Sequence, residues 1–184
     1  MNSDHGDNRP PGRLRAPAIE NSFHIVLVEP EIPPNTGNIG RLCGATCCPL
    51  HLVGRLGFRI DEHAVRRAGL DYWHLIRVAQ HATLADAERA IASDAEPHRT
   101  WLFSGKANRS YLDVDFRPGD VLVFGKESSG LDASLLAERA QSVVGIPTLG
   151  GVRSLNLANA VAIALFEALR QVGALAQAQN EHSS

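Results

Sequence analysis

"DVLVFGKESSGL", residues 120–131, is where the reading of the fold begins. Val121 to Phe124 is an unbroken apolar run of strand length, so it reads as a strand buried on both faces. Gly125 closes it and polar residues follow at once. "RTWLFSG" (99–105) has the same form and ends on Gly105, and "SVVGIP" (142–147) is a third such strand with a polar loop after Ile146. Strands of this kind belong to a parallel sheet with helices on both faces. In such sheets ligands bind beyond the carboxyl ends of the strands. One glycine at a strand end signifies only a turn. Three such ends, each followed by polar side chains, point to a ligand site.

Outward from this stretch, strand and helix alternate. "FHIVLVE" (23–29), "LHLVG" (50–54) and "LIRVAQ" (75–80) read as further strands. "EIPPN" reads as a rigid loop, since two prolines fix φ and lack donors. Thr36 or Asn35 then caps a helix running to about Cys48. Further helices are expected around 61–69, over 83–93 with Leu84, Ala87, Ala90 and Ile91 on one face, over 134–140, and after Ser154. Residues 1–22 carry Pro10, Pro11 and Pro17 and few large apolar side chains, which predicts a disordered tail made weakly basic by Arg9, Arg13 and Arg15. The folded domain is expected over 23–172, with a frayed end over 173–184.

Bulk properties narrow the function classes. The 184 residues suit one domain that needs no disulfide or metal staple. With 18 basic against 20 acidic side chains the net charge is -2, which argues against a broad nucleic-acid-coating surface and leaves room for a local basic patch. No secretory apolar region or bilayer-length run occurs, and Asn156, Asn159, Glu167 and Arg170 interrupt the nearest candidate, so a cytoplasmic chain with no membrane partner is expected. Cys43, Cys47 and Cys48 read as small buried thiols in a reducing compartment. The eight histidines show no metal-binding spacing, so no metal site is expected. GxGxxG, GxxxxGK[ST] and GxSxG are absent, which removes an ordinary dinucleotide site, a phosphate loop and a hydrolase elbow.

Three segments carry the reading further: "NTGNIGR" (35–41), "FGKESSGL" (124–131) and "IPTLGGVRSLNLANAV" (146–161). In this order and spacing they resemble the three signature motifs of the SPOUT superfamily of RNA methyltransferases, in its ribose 2′-O branch. "RRAGLDYW" (66–73) resembles a stretch typical of the small members that methylate the wobble nucleotide, position 34, of tRNA. The match covers residues 23 to 172. The resemblance implies an α/β fold whose C-terminal part threads a deep trefoil knot, a rare exception to the usual chain connections. It implies a homodimer, S-adenosylmethionine held in the knotted loops, and 2′-O-methylation of a cytidine or modified uridine at position 34, with leucine tRNAs as the expected substrates.

Site roles follow from the resemblance position by position. Phe103, Gly125, Ile146 and Ser154 would line the cofactor pocket, largely through backbone groups, and Leu155 and Asn156 would continue its wall. Gly125 suits this because a Cβ there would block approach to the adenosine. Asn35, Arg41 and Glu127 match catalytic positions near the transferred methyl and the incoming ribose. Arg153, Arg66, Arg67 and Lys106 are candidate RNA contacts, with Arg109 and Lys126, and Tyr72 and Trp73 are candidate stacking platforms. Methyl transfer from a sulfonium needs no metal. The protein aligns oxygen, methyl and sulfur and assists loss of the 2′ proton. The resemblance gives that proton to Arg41, yet a guanidinium keeps its own proton at any ordinary pH and is a poor base. Arg41 either takes the proton when a nearby phosphate or cation tunes it, or orients the hydroxyl while a phosphate or water accepts.

Ala158, Thr148 and Lys126 depart from the residues usual at their motif positions. Ala158, Ala162 and Leu165 form a stripe of mostly small residues that would serve the dimer contact. Three alternatives stand beside this reading. A methyltransferase for another tRNA position or for ribosomal RNA shares the motifs, the ribosomal kind usually with a separate N-terminal RNA-binding domain. A non-catalytic RNA-binding relative should lack Arg41 or the Gly125 pocket. An unrelated nucleotide-binding α/β protein should carry phosphate-loop signatures.

Overall fold

The computed structural model describes residues 13–17, 19, 23–57, 76–92, 98–151, 154–176 and 179–181. The helix expected around 61–69, and Arg66, Arg67, Tyr72, Trp73 and Arg153, lie outside the described residues. In chain order the elements are β1 (Arg13–Arg15), β2 (His24–Val28), α1 (Pro33–Thr46), β3 (Leu50–Val53), β4 (Val78–His81), α2 (Leu84–Ile91), β5 (Thr100–Phe103), β6 (Val121–Phe124), α3 (Ala133–Glu138), β7 (Val143–Val144), α4 (Leu157–Gln171) and β8 (Gln179–Glu181).

Six strands form one sheet in the order β4-β3-β2-β6-β5-β7, and every pairing in it is parallel. Alternate side chains face opposite ways along each strand, and both directions are apolar. Ile25, Leu27, Leu50, Leu52, Leu122 and Phe124 pack with Ile39 and Cys43 of α1 and Val161, Leu165 and Leu169 of α4. Val26, Val53, Leu102, Val121 and Val123 pack with Ala87 and Ile91 of α2, flanked by Leu135 and Leu136 of α3. Helices therefore cover both faces, and the continuous apolar runs are the sequence trace of that double burial. At the opposite end of the strands from Gly125, Asp120 is buried, and its carboxylate accepts from Arg99 Nε and Nη2, Trp101 Nε1 and the Arg117 N–H.

Several local expectations are corrected. The two prolines begin α1: Pro33 and Pro34 occupy its first turn, where missing N–H groups are no loss. Neither Asn35 nor Thr36 is the cap; Ile32 holds that position with no side-chain cap bond. Cys43 and Cys48 are buried, but Cys47 is exposed at the left-handed C-cap of α1, with φ 56°. β7 is only two residues long, and Gly145 after it bridges Ser110 instead of extending the ladder with β5. Arg13–Arg15 and Gln179–Glu181, in the segments expected as tails, pair antiparallel. Such a ribbon needs backbone bonds and no apolar core, which composition does not reveal. On α4, Leu165 is fully buried, Ala158 packs against the core and Ala162 is half-buried, so Leu165 of the small-residue stripe faces inward. The outward apolar side chains of α4 are Ile163 and Phe166.

A histidine ladder crosses three strands. His24 Nδ1 lies 3.1 Å from His51 Nε2, and His51 Nδ1 lies 3.0 Å from His81 Nε2. Each ring-to-ring bond shares one proton between two nitrogens, so two facing nitrogens cannot both carry one. Burial, and then the nearby His98 and Arg77, pushes His24 down to about 4. Burial, and then His24 and His81, does the same to His51, down to about 4.

Two predictions follow from this framework. Both histidines are depressed from an ordinary 6.5, so their contribution is complete above pH 6.5 and is lost as the pH falls toward 4, where the unfolded chain binds protons that the native ladder refuses. The thermal midpoint is expected to drop between about pH 7 and about pH 5, and His51→Gln to flatten that drop; a wild-type midpoint constant over this range contradicts it. The second concerns Gly125. A Cβ there would overlap the backbone of Gly130 and Leu131, whereas one at Gly150 meets nothing within 4 Å. Gly125→Ala is expected to destabilise by about 2 kcal/mol or more, and Gly150→Ala by less than about 0.5 kcal/mol, read from denaturant midpoints.

Candidate functional site

The strand order reverses between β2 and β6, and in an open parallel sheet such a switch point opens a crevice at the carboxyl ends. Here the crevice is spanned by polar side chains. β2 ends at Val28, and Glu29 turns the chain with φ 48°, a left-handed conformation that costs a non-glycine residue on the order of 1 kcal/mol. β6 ends at Phe124, and the loop after it folds back so that the Gly130 N–H donates to the Lys126 carbonyl at 2.9 Å.

Glu127 on that loop reaches the mouth of α1. Its Oε2 accepts from the Glu31 N–H at 2.8 Å, and its Oε1 from the Ile32 N–H at 3.3 Å and Asn35 Nδ2 at 3.0 Å. Helix α1 has no cap of its own at Ile32, so a carboxylate from a distant loop satisfies donors at its entry and faces the positive end of its dipole. Burial alone would raise the carboxyl, but the bonds from Glu31, Asn35 and Ile32 outweigh it and hold Glu127 below the usual carboxylate range. The group is ionised at neutral pH with its lone pairs engaged.

Asn35 continues the chain of bonds. It is buried, and its Oδ1 accepts from Asn156 Nδ2 at 3.0 Å. Asn156 is in turn the N-cap of α4, its Oδ1 accepting from the Ala158 N–H at 2.9 Å and the Asn159 N–H at 3.4 Å. The residue that interrupts an apolar stretch in the sequence is therefore the one that starts the helix. Glu127, Asn35 and Asn156 come from three separate segments and join into one network. Beside Asn35, the Thr36 hydroxyl is buried with no hydrogen-bond partner among the described residues.

The other expected site residues divide. Phe103, Gly125 and Ile146 lie at or just past the ends of β5, β6 and β7, which are neighbours in the sheet. Phe103 is a core side chain, stacked on Phe124 at 4.6 Å between ring centroids. Ile146 and Leu155 are half-buried, and Ser154 is exposed. The need for glycine at 125 comes from the chain itself, since the space a Cβ would take is filled by Gly130 and Leu131. Arg41 is exposed on α1, further along the helix than Asn35. Lys106 is exposed, Arg109 donates to the Asp113 carbonyl at 2.9 Å, and Lys126 is paired with Glu29 at 2.5 Å. Sequence reading missed Glu29, Glu31 and Ser128. Ser128 donates its N–H and its hydroxyl to Glu31, both at 3.0 Å. The one available signal was two acids flanking Pro30 opposite a polar loop, which has no meaning until the fold brings the segments together. Among the described residues no group of three or more histidine, cysteine, aspartate or glutamate side chains could hold a metal ion, and no helix is long and apolar enough to cross a membrane.

Residues 22–166 match the SpoU rRNA Methylase family. A tRNA (cytidine(34)-2′-O)-methyltransferase of Saccharophagus degradans is 45% identical over 152 residues, covering 82% of this chain and 96% of that protein. A structure solved for insight into 2-OH methylation of C/U34 on tRNA superposes with a TM-score of 0.74 at 42% identity, over 82% of this chain and 96% of that one. The SpoU methyltransferase AviRb of Streptomyces viridochromogenes, in complex with the cofactor AdoMet, superposes with a TM-score of 0.68 at 26% identity, over 89% of this chain and 66% of that one. The chain thus belongs to the SpoU rRNA methylase family, in the branch that holds the tRNA (cytidine(34)-2′-O)-methyltransferases.

Proposed function

We propose that this chain transfers a methyl group from S-adenosylmethionine to the ribose 2′-hydroxyl of nucleotide 34 of tRNA, a cytidine or modified uridine, with leucine tRNAs among its substrates. One observation carries the reading: Glu127, Asn35 and Asn156, one from each motif, form a continuous chain of hydrogen bonds at the carboxyl ends of the strands. The tRNA (cytidine(34)-2′-O)-methyltransferase relatives, matched over 82% of the chain, support the substrate.

The residues beside that network suit an adenosine. Gly125 and Ile146 leave β6 and β7 on either side of β5, and Ile146 and Leu155 offer half-buried apolar flanks for a base. Backbone groups near Phe103 and Gly125, with Ser154 and Asn156, would hold the polar edges, and the unpartnered Thr36 hydroxyl leaves one more polar group near this mouth. When bound, S-adenosylmethionine supplies a methyl activated on a sulfonium.

The chain's own residues then align and stabilise. Glu127 is a poor base, because three N–H donors occupy its carboxylate and hold it ionised. It fixes Asn35 and the start of α1, and Asn35 fixes Asn156. Arg41, exposed on the same helix, orients the ribose hydroxyl and stabilises its developing negative charge, while a phosphate or water takes the proton. Lys106 and Arg153 hold the RNA backbone. Passage of the chain from edge strand β7 back to α4, which packs on α1 and β6, supports the reading of a threaded trefoil knot. The outward Ile163 and Phe166 of α4 suit a second copy of the chain, and the enzyme acts in the cytoplasm.

Incubation with bulk tRNA and radiolabelled S-adenosylmethionine, followed by mapping of the product, tests the reaction. Label is expected on the ribose of nucleotide 34; label on a base, or none on tRNA, overturns the reading. Arg41→Ala is expected to lower turnover by roughly 100-fold while cofactor affinity stays within about twofold by calorimetry. Near-wild-type turnover in that variant removes Arg41 from its role.

A further inference from the structure

We propose that Glu31 and Ser128 are positioning residues for methyl transfer, forming a clasp that holds Glu127 at the mouth of α1; this rests on the methyltransferase reading above. Glu127 can cap α1 only if its loop stays against the segment between β2 and α1. Two ties besides Glu127 itself join these segments. Lys126 pairs with Glu29, the residue whose left-handed φ turns the chain out of β2. Glu31 accepts from Ser128 with both carboxylate oxygens, Oε2 from the N–H and Oε1 from the hydroxyl, each at 3.0 Å.

The arrangement at Glu31 is reciprocal. Its own N–H donates to Glu127 while its carboxylate receives from Ser128, the next residue along the loop. One residue thus engages both neighbours, as in a capping box, here across 96 positions of sequence rather than three. Sliding or lifting the loop breaks both sets of bonds together. A carboxylate suits the task because two donors converge on it, and an amide offers only one acceptor oxygen. All of these bonds are exposed, so they add little to global stability. Their effect falls on the population of loop conformers that keep Glu127, Asn35 and Asn156 connected.

The test uses the full chain as wild type, Glu31→Ala, Ser128→Ala and Ser128→Thr. Turnover, KM for tRNA, thermal midpoint, and amide exchange of Glu31 and Ile32 by NMR are measured on each. Glu31→Ala is expected to lower kcat about tenfold with KM within about twofold, and to speed exchange at the Glu31 and Ile32 amides by about tenfold. Its midpoint should shift by no more than about 2 °C. Ser128→Ala should show a smaller effect of the same kind, and Ser128→Thr, which keeps the hydroxyl, should restore it. Unchanged exchange at both amides in Glu31→Ala overturns the clasp whatever the activity. So does wild-type kcat, or a loss confined to KM. A wild-type protein that methylates no tRNA overturns the substrate reading instead, and amide exchange still decides the clasp.

Discussion

The Glu127 carboxylate at the entry of α1 is the contact on which the site depends. Helix α1 starts with two prolines, which carry no N–H, and Ile32 has no side-chain cap; the donors left at its mouth are the Glu31 and Ile32 N–H groups and Asn35 Nδ2. A loop more than ninety positions away in sequence supplies their acceptors. On the helix that begins there, Asn35 is buried and Arg41 is exposed. Asn35 in turn meets Asn156, whose other amide atom caps α4. Two helix starts and one strand-end loop are thereby tied into one polar unit. Because the members share partners, a disturbance at any one of them is felt by the rest.

The sheet makes this unit possible. Parallel strands bring every carboxyl end to one edge, and the reversal of strand order between β2 and β6 opens that edge where the two halves diverge. At the opposite ends of the strands Asp120 gathers Arg99, Trp101 and Arg117. The histidine ladder runs obliquely across the sheet, from His24 at the start of β2 through His51 to His81 at the end of β4. Apolar layers on both faces hold the strands in register while the loops beyond their carboxyl ends remain polar and exposed.

Much of this was legible in the sequence, for identifiable reasons. Continuous apolar runs such as Val121–Phe124 gave the buried strands, and the spacing of Leu84, Ala87 and Ile91 gave α2, which a Thr83–Asp86 capping box starts. The three motifs named the residues that meet, and family comparison agrees with the group they indicate. What the sequence hid was contact geometry. Periodicity assigned Ala158 and Leu165 to an outer stripe, but a helix with apolar residues on most sides does not announce which side faces the sheet, and Leu165 is fully buried. The prolines of "EIPPN" looked like loop residues because their use in a first helical turn depends on an N-terminus that only the fold defines. Glycine at 125 has a reason that only the fold reveals: its own loop, Gly130 and Leu131, fills the space a Cβ would take. Glu31 and Ser128 were invisible because a reciprocal pair across 97 positions leaves no local pattern.

The claim that Glu127, Asn35 and Asn156 act as one unit is tested most directly by a double-mutant cycle on kcat/KM for tRNA methylation with Asn35→Ala and Asn156→Ala. The account predicts that each single variant is impaired and that the double variant is little worse than the more impaired single one, because the second change removes a bond already lost. Losses that multiply across the cycle would contradict the account.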